Sequence, residues 1–295
     1  MISRRRLDMD AVASLLADAM GGRGKIKSAS ALVAASVLAA VRESAKVTFG
    51  TNHSWPLIPA NWTPRLTLNQ LKLCTARATA HAKWIASKHK PSAHSMIIMG
   101  DSLTIEPYSG QKHHLVITSP PYLSRLDYVR FLRPEFELLE ALELVSEDEV
   151  RKSQLGSVLT ETASSGQDSD LPSFCENLLR RIHDHPSKAS STYYHLFFTA
   201  YLRGLMKFAK TLKEVTDSSA VGWIVIQDSW YKDIYISTAD ILGGMLETQG
   251  WRVQAKWPFE VKASLSNLSG VTAEWRSTSP LVEWVLKVRR GERAS

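Results

Sequence analysis

A cluster of hydrogen-bond acceptors and one aromatic ring directly follows the apolar run 115–117. That run predicts a buried strand, and in open α/β sheets the carboxyl ends of the strands are where ligands bind. Pro120 and Pro121 fix φ and lack an N–H, so they predict a rigid turn after the strand. The Ser119 hydroxyl and the proline carbonyls offer acceptors, and the Tyr122 ring offers a face for stacking. The cluster suits a flat heterocycle with an exocyclic amine, and a purely structural Pro-Pro turn is the alternative.

The string Thr-Ser-Pro-Pro-Tyr at 118–122 resembles motif IV of the amino-methyltransferases. These enzymes transfer a methyl group from S-adenosylmethionine to N4 of cytosine or N6 of adenine in DNA. Further segments resemble prokaryotic DNA methylases of this group: Gly-Asp-Ser-Leu at 100–103, the stretch 119–128, and a helix at 192–213 leading to a strand at 221–227. From about residue 96 onward the order of predicted elements also matches the later part of the Rossmann-like methyltransferase fold, about two thirds of the chain.

The resemblance implies roles for the residues of this motif. Ser119 and the Pro120 carbonyl accept hydrogen bonds from the target amine, which orients its lone pair for direct in-line transfer. Pro121 belongs to the same catalytic set. Tyr122 stacks on the base after it is flipped from the duplex, and the alternative is a partly buried loop aromatic.

Two carboxylates at predicted strand tips are weighed in the same way. Asp101 matches the acid that contacts the adenine amine of the cofactor, with Ser102 beside it as a second cofactor-binding residue. The alternative for Asp101 is an N-cap of the following turn. For Asp228 a cap or turn role is expected rather than a ligand contact.

The glycine-rich turn that such enzymes use for S-adenosylmethionine has no match in this chain. The glycines at 21–25 follow a predicted helix with no strand before them, so they are expected to end that helix. Met1 is expected to fall just beyond the first two strands of the fold. Because the usual strand order is 3-2-1-4-5-7-6, the gap would leave open edges, and a complementing polypeptide is the expected repair. A degenerate or truncated product and an unusual self-sufficient site are the alternatives.

Charge is distributed unevenly along the 295 residues. Residues 1–90 hold 14 Lys and Arg against 4 Asp and Glu, whereas residues 91–295 hold 22 against 25. A basic N-terminal third is attractive to a phosphate backbone, and a solvated helical surface is the alternative. The two cysteines form no CxxC pair, which fits a reducing cytoplasm. The nine histidines show no metal-binding spacing, and no apolar run predicts a membrane span.

The predicted fold class is α/β: a partial Rossmann-like methyltransferase sheet with helices on both faces, preceded by a helical basic N-terminal region. The predicted domains are 1–90 and 91–295, with a mobile insertion at about 150–190. Predicted helices cover 9–20, 29–45, 66–89, 127–149, 192–214 and 236–249, and predicted strands cover 96–100, 114–118, 221–227, 251–259 and 281–289. An ordered loop is expected at 50–64, where Trp55 and Trp62 could stack on bases or pack in the core.

A DNA amino-methyltransferase subunit that uses S-adenosylmethionine is the leading hypothesis for the function. N4 of cytosine is favoured over N6 of adenine because Ser119 rather than an aspartate precedes the two prolines. An RNA base methyltransferase and a non-enzymatic DNA-binding or regulatory remnant of the fold are the alternatives.

Overall fold

The computed structural model describes a mixed α/β chain over most of its length. The described residues are 9–20, 28–49, 56–64, 67–88, 101–105, 110–123, 127–155, 171–261 and 281–291. They fall into two compact units. The first unit is formed by residues 1–100 with 128–150, and the second by residues 101–127 with 151–295.

The first unit is mainly helical. Its helices are α1 (Met9–Met20), α2 (Ser28–Ala45), α3 (Leu68–Lys88), α4 (Tyr128–Phe131) and α5 (Arg133–Ala141), and β1 (Thr48–Phe49) pairs with β2 (Pro56–Leu57). α6 (Glu147–Ser153) spans the boundary between the units. The core of the first unit consists of buried residues from four helices: Val12, Leu16, Val37, Ala40, Val41, Cys74, Leu138 and Leu139.

Local sequence signals explain where the helices of this unit begin and end. Thr67 and Gln70 exchange side-chain-to-backbone hydrogen bonds across the start of α3, which is a capping box. The single predicted helix at 127–149 is wrong, because α4 ends at Phe131 and α5 begins at Arg133. Pro134 lacks the N–H that a continuous helix requires, but it is well suited to the first turn of a new one.

The second unit is built on a four-stranded mixed sheet. Its strands β3 (His113–Thr118), β4 (Thr216–Gln227), β7 (Trp251–Glu260) and β8 (Val282–Arg290) lie in the order β3-β4-β8-β7. β3 is parallel to β4, whereas β8 is antiparallel to both of its neighbours. A separate two-stranded ribbon pairs β5 (Ser229–Tyr231) with β6 (Ile234–Ile236).

Three helices of the second unit supply the core beside this sheet. They are α7 (Ser173–His183), α8 (His195–Val215) and α9 (Thr238–Thr248), and a π-helical turn at Ser190–Tyr194 leads into α8. Alternate β4 residues, among them Ile224 and Ile226, face the helical core, whereas Trp223 on the opposite face stacks on Trp257 at 5.4 Å. The predicted second layer of helices stays a prediction.

Several sequence predictions are confirmed in this unit. The strands expected at 114–118, 221–227, 251–259 and 281–289 are present, as are the helices expected at 192–214 and 236–249. α9 is followed by Gly250, whose φ of 85° is readily adopted only by glycine. The predicted insertion at 150–190 is wrong in part, because α7 buries Cys175, Leu178, Leu179 and Ile182.

The prediction of a buried strand at the apolar run 115–117 is also wrong. β3 is an edge strand in the described sheet, with β4 as its hydrogen-bonded neighbour. Leu115 is 56% exposed and Ile117 74% exposed. Their side chains therefore lack the cover that the run of apolar residues led us to expect. The predicted strand at 96–100, the glycines at 21–25, and Trp55 lie outside the described residues.

Candidate functional site

The carboxyl ends of β3 and β4 place the Ser119–Tyr122 segment and Asp228 at one edge of the sheet. The two strands are parallel, and Thr118 at the end of β3 pairs with Ile224. Ser119 directly follows β3, and Asp228 directly follows β4. In open α/β sheets this edge is where ligands bind, so the candidate site is built from here.

Ser119 and Tyr122 are linked to a carboxylate that arrives from β8. Ser119 is exposed, and its hydroxyl points to the Tyr122 hydroxyl at 3.5 Å. Tyr122 donates a hydrogen bond of 2.5 Å to Oε1 of Glu283. Glu283 lies opposite Gln227 at the carboxyl end of β4, which brings it to the same edge. These three residues form one continuous chain of hydroxyl and carboxylate groups.

The backbone after Pro120 is fixed from two sides. Tyr201 of α8 donates its hydroxyl proton to the Pro121 carbonyl at 2.8 Å. Ser229 of β5 donates to the Leu123 carbonyl at 2.5 Å. Pro120 itself is buried. The turn is therefore rigid for two reasons, namely the fixed φ of the prolines and these tertiary hydrogen bonds. The predicted acceptor role of the Pro120 carbonyl stays a prediction.

Asp228 is a buried carboxylate that holds three donors from different elements. It accepts hydrogen bonds from the Tyr235 hydroxyl of β6, from Nε1 of Trp284 in β8 at 2.7 Å, and from the Ala239 N–H in the first turn of α9 at 3.1 Å. The last contact is a helix cap supplied by a distant residue. Burial, and then the hydrogen bond to Asp228, raises the pKa of Tyr235 above its usual range. The expected cap role of Asp228 fits this geometry.

Aromatic and charged side chains continue the edge beyond Asp228. Nζ of Lys256 lies 4.4 Å from the centre of the Trp284 ring and forms an ion pair with Asp240. Trp230 contacts Tyr235 edge-on, with ring centres 4.9 Å apart. A depression of about 320 Å³ adjoins Tyr235 and Asp240 and extends along α7 and α9. The edge thus offers aromatic faces together with acceptors, which suits a planar, donor-bearing ring.

Asp101 and Ser102 lie on an exposed turn that is held against α8. Oδ1 of Asp101 accepts the Leu103 N–H at 2.9 Å, and its carbonyl accepts the Thr104 N–H at 3.0 Å. The Leu103 carbonyl in turn accepts a hydrogen bond from Thr211 of α8 at 2.9 Å. One carboxylate oxygen of Asp101 therefore stabilises the turn, as in the capping alternative. The predicted cofactor contacts of Asp101 and Ser102 stay predictions.

Sequence reasoning missed Glu283, Trp284, Tyr235 and Tyr201, which complete this edge. Glu283 and Trp284 are neighbours near the start of a strand with alternating pattern, where a Glu is expected to be an ordinary surface residue. Only the strand register brings them to the carboxyl end of β4. No short-range signal in the sequence could have identified them.

A second polar cluster surrounds the π-helical turn, but it lacks the arrangement of a nucleophile and base. Nε2 of His185 is 2.8 Å from Asp233, and Nδ1 accepts the backbone N–H of Ser187 at 3.1 Å. Both ring nitrogens are thus occupied, and the imidazole is not poised to deprotonate the nearby Ser187 and Ser190 hydroxyls. This cluster stabilises the loop before α8.

Two further findings limit what the described residues can do. No three His, Cys, Asp or Glu side chains in the described ranges gather closely enough to hold a metal ion. Among the helices that the structure describes, none is both long and apolar enough to cross a bilayer. Trp62, which could have stacked on a base, is half-buried and packs against the core of the first unit.

Comparison with known proteins finds no matching family model, no matching curated protein and no matching solved structure.

Proposed function

We propose that this chain is the C-terminal part of an S-adenosylmethionine-dependent amino-methyltransferase that acts on an exocyclic base amine of DNA. N4 of cytosine is favoured over N6 of adenine because Ser119 precedes Pro120 and Pro121. The observation that carries the proposal is the position of the Ser119–Tyr122 segment at the carboxyl end of β3, beside Asp228 at the end of β4.

The strand order of the second unit supports this proposal. The order β3-β4-β8-β7, with β8 antiparallel to both neighbours, corresponds to the 4-5-7-6 portion of the 3-2-1-4-5-7-6 order that the resemblance implies. In that correspondence β3 takes the place of the fourth strand. The missing neighbour of β3 would be the first strand, which carries the glycine-rich turn.

The exposed edge of β3 supports a complementing polypeptide. Leu115 and Ile117 expose most of their side-chain surface, and exposed apolar edge strands promote association. We infer that a second polypeptide adds a parallel strand along β3 and supplies the glycine-rich turn. Without it, the isolated chain should self-associate, and co-expression with a fragment carrying the two missing strands should keep it soluble.

The residues of the edge have distinct roles in the proposed reaction. The Ser119 hydroxyl accepts a hydrogen bond from the target amine and orients the nitrogen lone pair, and Tyr122 stacks on the flipped base. Bound S-adenosylmethionine supplies an electrophilic methyl group. Asp101 fits a contact with its adenine amine, because the turn that holds this exposed carboxylate is anchored to α8. Ser102 is exposed beside it.

The experiment is methyl transfer to DNA by the chain co-expressed with the reading frame next to its own. Transfer is measured with radioactive S-adenosylmethionine, and the product nucleosides are identified by mass spectrometry. We expect Tyr122→Ala to raise the barrier by about 1–3 kcal/mol through the lost stacking face, and Ser119→Ala to lower the rate further. The matched controls are Tyr193→Ala and Ser218→Ala, which alter exposed residues of the same unit.

Several results would contradict parts of this proposal. Full activity in both Ser119→Ala and Tyr122→Ala would refute their roles. Micromolar binding of S-adenosylmethionine by the chain alone, measured by calorimetry, would refute the split cofactor site. Methylation of RNA but not DNA would identify the alternative substrate.

A non-enzymatic DNA-binding role is the second candidate, and α3 favours it. This helix contains four basic and no acidic residues, and Lys72, Lys83 and Lys88 are exposed together with Trp84. Such a surface attracts a phosphate backbone. Salt-dependent binding of duplex DNA that Lys83→Glu weakens, without methyl transfer by any co-expressed complex, would favour this role.

A further inference from the structure

The chain of groups from Ser119 through Tyr122 to Glu283 has a direction. The Ser119 hydroxyl is oriented as a donor to Tyr122 at 3.5 Å, and Tyr122 donates to Glu283 at 2.5 Å. The second distance is typical of an O–H donor bound to a carboxylate. The first is long, but hydrogen bonds of catalytic groups often tighten only when the substrate is bound.

We propose that these three residues form a proton relay, with Glu283 as the terminal proton acceptor. The proposal rests on the proposed function, because it concerns the proton that the target amine must lose. It adds a residue from β8 to a site otherwise built on the segment that follows β3.

The step balances as follows. The amine nitrogen uses its lone pair to form the new N–CH₃ bond, and the electron pair of the broken S–CH₃ bond stays on sulfur. The methylated nitrogen is then cationic and must lose one proton. That proton passes to Oγ of Ser119, the Ser119 proton passes to Tyr122, and the Tyr122 proton passes to the Glu283 carboxylate. The product is a neutral methylated amine and a protonated Glu283.

The surroundings of the three groups suit this transfer. Ser119 is exposed, so its free lone pair can meet a substrate N–H, whereas Tyr122 and Glu283 are half-buried. An ionised carboxylate accepts hydrogen bonds but donates none, so the direction of the chain is fixed towards Glu283. Asp228, the other acid at this edge, already holds three donors from Tyr235, Trp284 and Ala239.

A purely structural role for Glu283, holding the Tyr122 ring in place, predicts a different order of variants. Glu283→Gln keeps an oxygen that can accept the Tyr122 hydroxyl, but it cannot take up a proton. Glu283→Asp keeps the basic carboxylate but shortens its reach. A relay therefore ranks the Asp variant above the Gln variant in turnover, and a structural role ranks them in the opposite order.

The experiment measures kcat and KM for methyl transfer by the co-expressed complex. Glu283→Gln should lower kcat by about 100-fold, the lower end of the range for general acid–base catalysis, with little change in KM. Tyr122→Phe keeps the stacking ring and breaks the relay, so it should lower kcat to a similar degree. The double variant should be no slower than either single variant, because the groups act as a unit. Glu247→Gln, an exposed carboxylate of α9, is the matched control.

A second measurement tests the contact without activity. The ¹³C resonance of Tyr122 Cζ, assigned with Tyr122→Phe, should move in Glu283→Ala and stay in place in Glu247→Ala. An unmoved resonance in Glu283→Ala overturns the relay. Wild-type activity with an equally active Glu283→Gln overturns the relay but leaves the proposed function intact. Absence of methyl transfer by the wild-type complex overturns both.

Discussion

Replacing Asp228 should destabilise the second unit more than any other single change at the sheet edge. Its carboxylate is buried and binds one donor each from β6, α9 and β8, so three elements depend on one side chain. Asp228→Ala removes the acceptor for all three donors, while the donors remain where the fold has placed them.

The magnitude follows from which donors water can reach. Tyr235 is 37% exposed, so its hydroxyl can bind water instead. The Ala239 N–H and the Trp284 indole N–H are more enclosed, and an unpaired buried donor costs about 1–3 kcal/mol. Asp228→Ala should therefore lower the free energy of unfolding by about 2–6 kcal/mol, against a typical total of about 5–15 kcal/mol. Asp228→Asn should cost less, because its amide oxygen can keep Tyr235 and Trp284 and lose only Ala239.

Urea unfolding followed by tryptophan fluorescence and circular dichroism measures these free energies. The expected order of destabilisation is Asp228→Ala, then Asp228→Asn, then Tyr235→Phe, which removes one partly exposed hydrogen bond. Asp184→Ala, an exposed carboxylate of the same unit, serves as the control and should change stability by at most about 0.5 kcal/mol. If Asp228→Ala unfolds at the same urea concentration as Asp184→Ala, the carboxylate does not hold these elements together.

Three other predictions concern single buried groups. Asp127→Ala should cost about 3–5 kcal/mol in urea unfolding, because it leaves Arg151 charged and 7% exposed without its carboxylate; Asp127→Ala with Arg151→Met should recover much of the loss. Burial raises the pKa of Tyr235, so its contribution to stability is complete below about pH 10 and is lost above it; the unfolding free energy of Tyr235→Phe should fall less steeply there than that of the wild type. Burial raises the pKa of Cys175 to about 12 and also raises that of Cys74, so neither thiol should react with a disulfide reagent at pH 8 until urea unfolds the chain.

Elements with a strong local pattern could be predicted from the sequence. α8 carries apolar residues at helical spacing, α9 ends before a glycine, and β7 and β8 have the patterns of strands. α7 was missed although its signal was present, because Cys175, Leu178, Leu179 and Ile182 follow the spacing of one helical face. The polar residues around it drew the interpretation towards an insertion.

The exposure of β3 and the make-up of the site could not be predicted in the same way. An apolar run indicates a strand, but its burial depends on which chain segment lies beside it. Likewise, Tyr122 meets Glu283 across 161 positions of sequence, and that meeting is decided by the register of β8 on β4. Sequence patterns specify the face of a strand and not its neighbour.

The parallel pairing of β3 with β4 has a consequence for how the sheet assembles. Between these strands lie 97 residues, whereas 21 residues separate β7 from β8. Closing the longer loop costs about 1.4 kcal/mol more in chain entropy. The antiparallel pair β7–β8 can therefore form early as a local hairpin, and β3 joins only after α7 and α8 have folded between the two parallel strands. The strand that delivers the Ser119–Tyr122 segment is thus the last to be incorporated, and the site is completed at the end of folding.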